Sequence, residues 1–248
     1  MDFDDYRSDA SLARRVLARL AIASSRLLLT RLNDLTIVRA ERLDEARGQG
    51  RGLITFSNHV SLYDDPWLPA CVASGSWESL RWCATDDGNF FSHPVTRWFF
   101  SAGKGVPIVR GAGLDQPGMH FLEARLREGD WVHIFPEGGR SRTPQALRTP
   151  LKKGMAHLVR ATRPLLLPYH HWGMERVLPI GSRWPRRGQH VTLRFGDITD
   201  SDNGLADASV EDITSWAEAQ LLALQEEARG QAQAAAEAMG SARETTVR

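Results

Sequence analysis

Cysteine and long apolar runs are both scarce in this chain, and each shortage excludes a class of protein. Cys71 and Cys83 are the only cysteines among 248 residues, so we expect neither a disulfide framework nor a four-ligand zinc site. The longest purely apolar runs, such as residues 165–167, are far shorter than the roughly 18 residues that suggest a membrane-spanning helix.

An excess of charge of one sign is also missing. The chain has 31 basic and 30 acidic residues, a formal net charge of +1, and so lacks the overall positive field of nucleic-acid binders. We therefore expect no nucleic-acid partner. Hydrophobic residues make up 42% and charged residues 25%, which are the proportions of an ordinary globular domain.

Segments with strand and helix patterns alternate along the chain, and this alternation predicts a single-domain α/β fold. We expect a mixed, mostly parallel sheet flanked by helices on both faces. The predicted strands are residues 35–40, 52–58, 81–85, 105–110, 131–135, 164–170 and 190–196. The predicted helices are residues 11–33, 65–73, 90–101, 115–128, 151–163 and 209–228. The chain is thereby divided into an N-terminal amphipathic helical segment (1–34), the main domain (35–228) and a flexible tail (229–248).

The N-terminal segment has the pattern of a basic amphipathic helix. Leu12, Val16, Leu20 and Leu27 fall near helical spacing with five arginines between them, and no acid occurs from Ala10 to Asn33. Such a helix favours the surface of an anionic membrane. The alternative is a helix that covers the domain and turns a basic face to solvent.

Aromatic residues are concentrated in one part of the chain. Trp67, Trp77, Trp82 and Trp98 lie within about thirty residues, together with four phenylalanines. These rings fit either an aromatic core or a belt at the depth of lipid headgroups.

A histidine and an aspartate follow the strand predicted at residues 52–58. His59 and Asp64 are five residues apart, a spacing that turns about 140° past the starting direction and cannot share one helix face. They can meet across a turn, where Asp64 accepts the ring N–H and leaves the other ring nitrogen free as a base. The alternative is a capped turn with a surface histidine.

A second polar cluster, residues 135–141, follows the strand predicted at 131–135. Gly138 and Gly139 permit a tight turn and close approach to a ligand, and Arg140 offers forked donors for phosphate. No acid lies between Glu137 and Glu175, whereas the same stretch holds Arg140, Arg142, Arg148, Lys152, Lys153, Arg160 and Arg163. This stretch favours a phosphate-rich partner, which is a lipid headgroup, a nucleotide-bearing cofactor or nucleic acid. A solvated basic face is the alternative.

Read in order along residues 50–200, these motifs resemble the glycerolipid (lysophosphatidate-type) acyltransferase family. The matching blocks are Asn58-His59-x-x-x-x-Asp64, residues 105–110 and residues 135–141. Further blocks, at residues 58–66, 104–111, 129–138 and 171–179, are similar to its tafazzin branch.

The resemblance implies transfer of a fatty acyl group onto the free hydroxyl of a lysophospholipid, either lysophosphatidate or another. It implies His59 as the general base and Asp64 as the residue that orients it. The headgroup-binding residues implied are Arg110, Glu137, Gly138, Arg140 and Ser141. No metal or bound cofactor is expected, and the acyl donor is acyl-coenzyme A, acyl carrier protein or a phospholipid.

Insoluble lipid substrates imply a membrane-associated protein. We expect peripheral or monotopic attachment to the cytoplasmic face of the inner (plasma) membrane. Two other functions remain open from the sequence: a catalytically inactive peripheral phospholipid-binding protein, and a metal-dependent hydrolase. An intact His59–Asp64 pair argues against the first, and the lack of a second ligand motif argues against the other.

Overall fold

The sheet is the central layer of the molecule. The structure is a computed structural model that describes residues 11–64, 76–143 and 146–246, with side chains as far as residue 229. Within these ranges eight strands form one sheet. The strands are β1 (Asp34–Val38), β2 (Leu53–Ser57), β3 (Trp82–Asp86), β4 (Gly105–Ile108), β5 (Trp131–Ile134), β6 (Leu165–Trp172), β7 (His190–Phe195) and β8 (Thr199–Asp200). Across the sheet the order is β1, β7, β6, β2, β5, β3, β4, and β8 pairs with β6.

The strand directions confirm the prediction of a mixed, mostly parallel sheet. Strands β2 to β6 all run the same way, β7 is antiparallel to β6, and β1 is parallel to β7. Strand β2 lies between β5 and β6, and its Thr55 is opposite His133 and Leu167. The segments that follow these three strands therefore leave the sheet side by side at one edge, where open α/β sheets place their sites.

Helices cover both faces of this sheet. They are α1 (Leu12–Thr30), α2 (Glu41–Gly48), α3 (Asp87–Phe90), α4 (Pro94–Ala102), α5 (Pro117–Arg127), α6 (Gly154–Thr162), α7 (Met174–Val177) and α8 (Val210–Thr246), with a 3-10 turn at Leu205–Asp207. Helices α5, α6 and α8 pack on one face through residues such as Leu122, Leu158 and Leu221. Helices α1 and α2 cover the other face through Leu29 and Leu43.

Helix α1 has apolar side chains on two sides. Ile22 and Leu29 are buried against the domain, whereas Leu12 is 78% exposed and Val16 and Leu20 are also exposed. The helix thus covers the domain and still turns apolar side chains to solvent. We call Leu12, Val16 and Leu20 the α1 stripe.

The aromatic cluster divides between core and surface. Trp82 is buried, and the ammonium of Lys104 lies 4.5 Å from the ring centre of Trp77 and 5.0 Å from that of Trp82. Burial lowers the pKa of Lys104 to about 8. Trp98 on α4 is exposed, and Trp67 lies outside the described residues. A single aromatic belt is therefore not what these positions form.

The C-terminal segment departs from its predicted secondary structure. The sequence pattern predicts that the last helix ends near residue 228, but α8 continues to Thr246. The flexibility expected over residues 229–248 stays a prediction. Alanine is the most frequent residue of the extension, which contains no proline. Alanine has the highest helix propensity, and this acts even where few large apolar side chains are available for packing.

The helix predicted at residues 151–163 begins three residues later, at Gly154. Leu151 is buried and the N–H of Lys152 donates to the carbonyl of Pro136 at 2.7 Å. The main chain before α6 is therefore engaged with the segment after β5 and is not free to start a helix. Helix α2 was not predicted from the sequence, and the helix predicted at 65–73 lies outside the described residues.

Gly52, which precedes β2, provides a test of this packing. A Cβ at Gly52 would lie 2.2 Å from the carbonyl oxygen of Leu126, whereas a Cβ at Gly48 would meet nothing within 4 Å. We expect Gly52→Ala to lower the free energy of unfolding by about 3 kcal/mol, since backbone must move. Urea denaturation measures the loss. Gly48→Ala is the matched control and should be neutral or stabilising by up to about 1 kcal/mol; equal effects of the two changes would contradict the packing described.

Candidate active site

The turn after β2 brings His59 and Asp64 together, as their spacing predicted. His59 Nδ1 lies 3.0 Å from Asp64 Oδ2. The same oxygen accepts the backbone N–H groups of Val60 at 2.6 Å and Ser61 at 2.7 Å. The Asp64 side chain is fully buried and that of His59 is 18% exposed. With its proton on Nδ1 and held by Asp64, the imidazole has a free lone pair on Nε2.

Asp64 is held as a carboxylate despite its burial. Burial by itself raises the pKa of this group, but the neighbouring His171 and His59 and the N–H of Ser61 outweigh it and lower the pKa below its ordinary value. Hydrogen bonds and positive charge both favour the ionised form of a carboxyl. The acceptor needed to orient His59 is therefore present at neutral pH.

The segment after β5 holds the main chain of His59 from both sides. Glu137 Oε1 accepts the N–H of His59 at 2.6 Å, and the N–H of Ser141 donates to the carbonyl of His59 at 2.7 Å. The other Glu137 oxygen accepts the N–H of Arg148 at 2.9 Å, while Ser141 Oγ donates to the carbonyl of Thr143 at 2.9 Å. Burial raises the pKa of Glu137 and outweighs the hydrogen bonds from the N–H groups of Arg148 and His59, which lower it.

These contacts give Glu137 and Ser141 a positioning role, and the headgroup binding that the resemblance implies for them stays a prediction. Glu137 is 1% exposed and Ser141 is also buried. Their polar atoms are engaged with main-chain groups. A motif specifies which residues are present but not which way each one points, so the positioning role is visible only in the structure.

Phe135 fixes the ring of His59 as well. The two rings stack with centres 4.0 Å apart and planes 19° apart. Behind Phe135 lies the buried His133, whose Nδ1 is 2.9 Å from Thr55 Oγ1 and whose Nε2 is 3.2 Å from the hydroxyl of Tyr169. Burial holds the pKa of His133 well below its ordinary range, so this ring is a neutral support and not a second charged group.

Asn58 and His171 also belong to the site, although neither was predicted as a site residue. The Asn58 amide donates to the His171 carbonyl and accepts the His171 N–H, both at 3.0 Å. The His171 ring donates from Nε2 to the Asn58 carbonyl at 2.9 Å, and the same nitrogen is 3.6 Å from Asp64 Oδ2. The signal that could have found them is position: they lie at the ends of the adjacent parallel strands β2 and β6.

Basic side chains converge on the turn that contains Gly138 and Gly139. Gly138 has φ +68°, and a Cβ there would lie 2.8 Å from Lys152 Cγ. A Cβ at Gly139 would lie 3.3 Å from Arg148 Nη1 and 3.8 Å from Arg110 Nη2. The guanidinium groups of Arg110 and Arg148 and the side chain of Lys152 therefore approach the main chain of two successive glycines.

Arg110 and Arg140, both predicted for the headgroup, meet this turn differently. Arg110 is mostly exposed and its Nε pairs with Asp86 Oδ1 at 3.1 Å, which leaves its terminal nitrogens near Gly139. Arg140 follows Gly139 directly and is half-buried. Forked donors beside an open main-chain turn suit a phosphate group.

Asp64 allows a test by pH and stability. Because its pKa is lowered in the folded chain, its carboxylate contributes stability that is present above the ordinary pKa and is lost as the pH falls through the folded-state value. Asp64→Asn should cost about 2 kcal/mol at pH 7, and the difference from wild type should shrink below about pH 4. Thermal unfolding across pH measures it, with the surface change Asp115→Asn as control. A difference that stays constant with pH would contradict the assignment.

Comparison with known proteins decides the family. A family model described as Acyltransferase matches residues 35–172, which is more than half of the chain. The chain belongs to the acyltransferase family. Together with the relatives described next, this match confirms the predicted resemblance to glycerolipid acyltransferases close to the tafazzin branch.

Individual relatives agree with this membership. The chain is 32% identical over 192 residues to Tafazzin of Drosophila melanogaster, covering 74% of this chain and 50% of the relative. It is 35% identical over 189 residues to Taffazin of Dictyostelium discoideum, covering 70% and 65%. It is 33% identical over 171 residues to N-acylphosphatidylethanolamine synthase of Arabidopsis thaliana, covering 64% and 60%. The chain thus spans about half to two thirds of the length of these relatives.

A solved structure shares the fold of this acyltransferase-family chain. The crystal structure of the 1-acyl-sn-glycerophosphate (LPA) acyltransferase PlsC from Thermotoga maritima superposes with a TM-score of 0.65 at 22% identity, covering 90% of this chain and 83% of that one. At this identity the likeness concerns the fold alone. Among the described helices none is long and apolar enough to cross a membrane.

Proposed function

We propose that the protein transfers a fatty acyl group from a donor to the free hydroxyl of a lysophospholipid, which is lysophosphatidate or another. The observation that carries the proposal is the His59–Asp64 pair, joined at 3.0 Å. The His59 ring is stacked on Phe135, and the N–H and carbonyl of His59 are both hydrogen-bonded to the segment after β5. A protein that only bound lipid would have no need of an imidazole oriented in this way, which counts against the catalytically inactive alternative.

In the proposed reaction His59 acts as the general base. The acceptor hydroxyl has a pKa far above 7, so Nε2 takes its proton as the oxygen attacks the carbonyl carbon of the donor. The resulting tetrahedral oxyanion collapses, the bond to the donor breaks, and the leaving thiolate or alkoxide takes the proton back from His59. Asp64 stabilises the intervening imidazolium and keeps the ring in place. The sequence has no Gly-x-Ser-x-Gly elbow, which favours direct transfer over an acyl-serine intermediate.

The basic turn would hold the acceptor phosphate. Arg110, Arg148 and Lys152 approach Gly138 and Gly139, on the segment that binds the main chain of His59. A phosphate bound at this turn would lie on the segment whose Glu137 and Ser141 bind the main chain of His59. The donor is acyl-coenzyme A, acyl carrier protein or a phospholipid, and no bound cofactor takes part.

We further propose that the protein reaches its substrates as a peripheral or monotopic protein on the cytoplasmic face of the inner (plasma) membrane. The α1 stripe is exposed beside arginines, and Val95, Trp98 and Phe99 on α4 are exposed as well. Apolar and aromatic side chains enter the acyl boundary while arginines bind anionic headgroups. Lipid substrates require such a contact, since they do not leave the bilayer readily.

His59→Ala tests the proposed chemistry. Removal of a general base costs on the order of 10²–10⁴-fold in rate, and we expect this loss in kcat with fold and vesicle binding unchanged. The assay uses labelled lysophospholipid with each of the three donors. His120→Ala, at an exposed surface position on α5, is the matched control and should retain full activity.

Two results would go against the assignment. Near-normal turnover by a correctly folded His59→Ala protein would remove His59 from the chemistry. Vesicle binding by wild-type protein without acyl transfer from any donor would favour the inactive lipid-binding alternative.

Arg148→Gln tests the phosphate contact. Arg148 is an exposed residue whose guanidinium lies beside Gly139. Loss of a contact made equally in ground and transition states raises KM with little change in kcat. We expect KM for a phosphate-bearing acceptor to rise about tenfold, for a loss near 1.4 kcal/mol. Arg160→Gln, an exposed arginine at the far end of α6, is the control. Equal KM values for Arg148→Gln and wild type would place Arg148 outside the acceptor site.

A further inference from the structure

Besides the exposed apolar residues of α1 and α4, a further exposed apolar surface lies in the loop of residues 179–189, between α7 and β7. Trp184 at its tip is 80% exposed, and Ile180 is exposed too. The arginines of the loop, Arg183, Arg186 and Arg187, are also exposed, and among the described residues none of them pairs with a carboxylate. No acid occurs between Glu175 and Asp197. We call residues 179–189 the Trp184 loop.

The loop starts at the catalytic turn. Ser61, whose N–H donates to Asp64 Oδ2 at 2.7 Å, donates from its hydroxyl to the carbonyl of Leu178 at 3.1 Å. The N–H of Arg186, near the other end of the loop, donates to the carbonyl of Val177 at 2.7 Å. The base of the loop is therefore fixed next to the residues that hold His59.

The other end of the loop is fixed to the end of α1. The N–H of Gly188 donates to the carbonyl of Leu32 at 2.7 Å, and that of Gln189 donates to Asn33 Oδ1 at 2.8 Å. The Asn33 amide in turn donates to the carbonyl of Arg186 at 3.2 Å. Trp184 is thus presented by a loop closed at both ends, and its exposure is a property of this fixed conformation.

The composition of the loop matches one kind of partner. An indole ring prefers the headgroup depth of a bilayer, where its apolar body and its N–H are both accommodated. Arginines that lack carboxylate partners are complementary to anionic lipid phosphates. The site beside the loop must also receive an acceptor that resides in such a layer, if the proposed function is right.

We propose that the Trp184 loop inserts into the headgroup layer of an anionic bilayer and holds the entrance of the site against the membrane. The surface is separate in sequence from α1 and α4. It rests on the proposed function only in taking the acceptor to be a lipid. Trp184 supplies the apolar contact, and the three arginines supply the attraction to anionic headgroups.

Vesicle binding tests the loop directly. The variants are Trp184→Ser and the pair Arg183→Gln with Arg187→Gln, measured by co-sedimentation with phosphatidylcholine vesicles with and without phosphatidylglycerol. Trp184→Ser should weaken binding about tenfold on both vesicle types. The arginine pair should weaken binding to the anionic vesicles about fivefold per arginine and leave neutral vesicles unaffected.

Matched controls separate this loop from general surface effects. Leu222→Ser on α8 and Arg160→Gln on α6 change exposed residues on the opposite face of the sheet from α1 and should bind vesicles as wild type does. Leu12→Ser with Leu20→Ser measures the α1 stripe in the same assay. Circular dichroism and thermal unfolding establish that each variant is folded.

Activity provides the second readout. Trp184→Ser should lose several-fold in rate on lysophospholipid presented in anionic vesicles and keep the wild-type rate on a short-chain acceptor below its micellar concentration. If both loop variants bind vesicles with wild-type affinity, the proposal is overturned. The same result would be obtained if the loop docked on a protein and not on a bilayer. Absence of acyl transfer by wild type would contradict the proposed function, and the co-sedimentation result would still decide the loop.

Discussion

The site depends on one contact between two loops, in which the residues after β5 bind both backbone groups of His59. Glu137 takes its N–H and Ser141 supplies an N–H to its carbonyl. This contact exists because β5 is the direct neighbour of β2 and parallel to it. The segments that follow the two strands therefore leave the sheet side by side at the same edge. His59, the proposed base, and the basic turn at Gly139 are thereby held by the same contact, which would fix their geometry closely for the proposed reaction.

Two buried carboxyl groups in this unit are treated in opposite ways. The pKa of Asp64 is lowered, against its burial, by His171, His59 and the Ser61 N–H. The pKa of Glu137 is raised, because burial outweighs its two main-chain N–H bonds. Asp64 therefore carries charge beside the His59 ring, where the proposed reaction forms an imidazolium, while Glu137 connects the two loops. If the pKa of Asp64 were raised by its surroundings as that of Glu137 is, His59 would lose its charged partner.

Much of the fold, and the central pair of the site, could be predicted from the sequence. Apolar runs of strand length that alternate with helix patterns specify a mostly parallel sheet. His59 and Asp64 share one short turn, so only local geometry was needed for that pair. Side-chain direction in the segment after β5 could not be obtained, since it depends on contacts between strands distant in the chain. For the same reason the approach of Arg148 to Gly139 has no local signal. The C-terminal part of α8 has few large apolar residues that would signal a packed helix, so its helical form depends on residue propensity.

Helix α1 uses its two apolar sides for two different environments. Ile22 and Leu29 complete the core, and the α1 stripe remains outside it. Any surface that binds the stripe in this arrangement binds the folded chain in preference to the unfolded one, and so adds its own binding free energy to that of folding. In the proposed membrane-bound state, binding of the α1 stripe to lipid and folding of the domain are therefore linked, and lipid would raise the conformational stability of the chain.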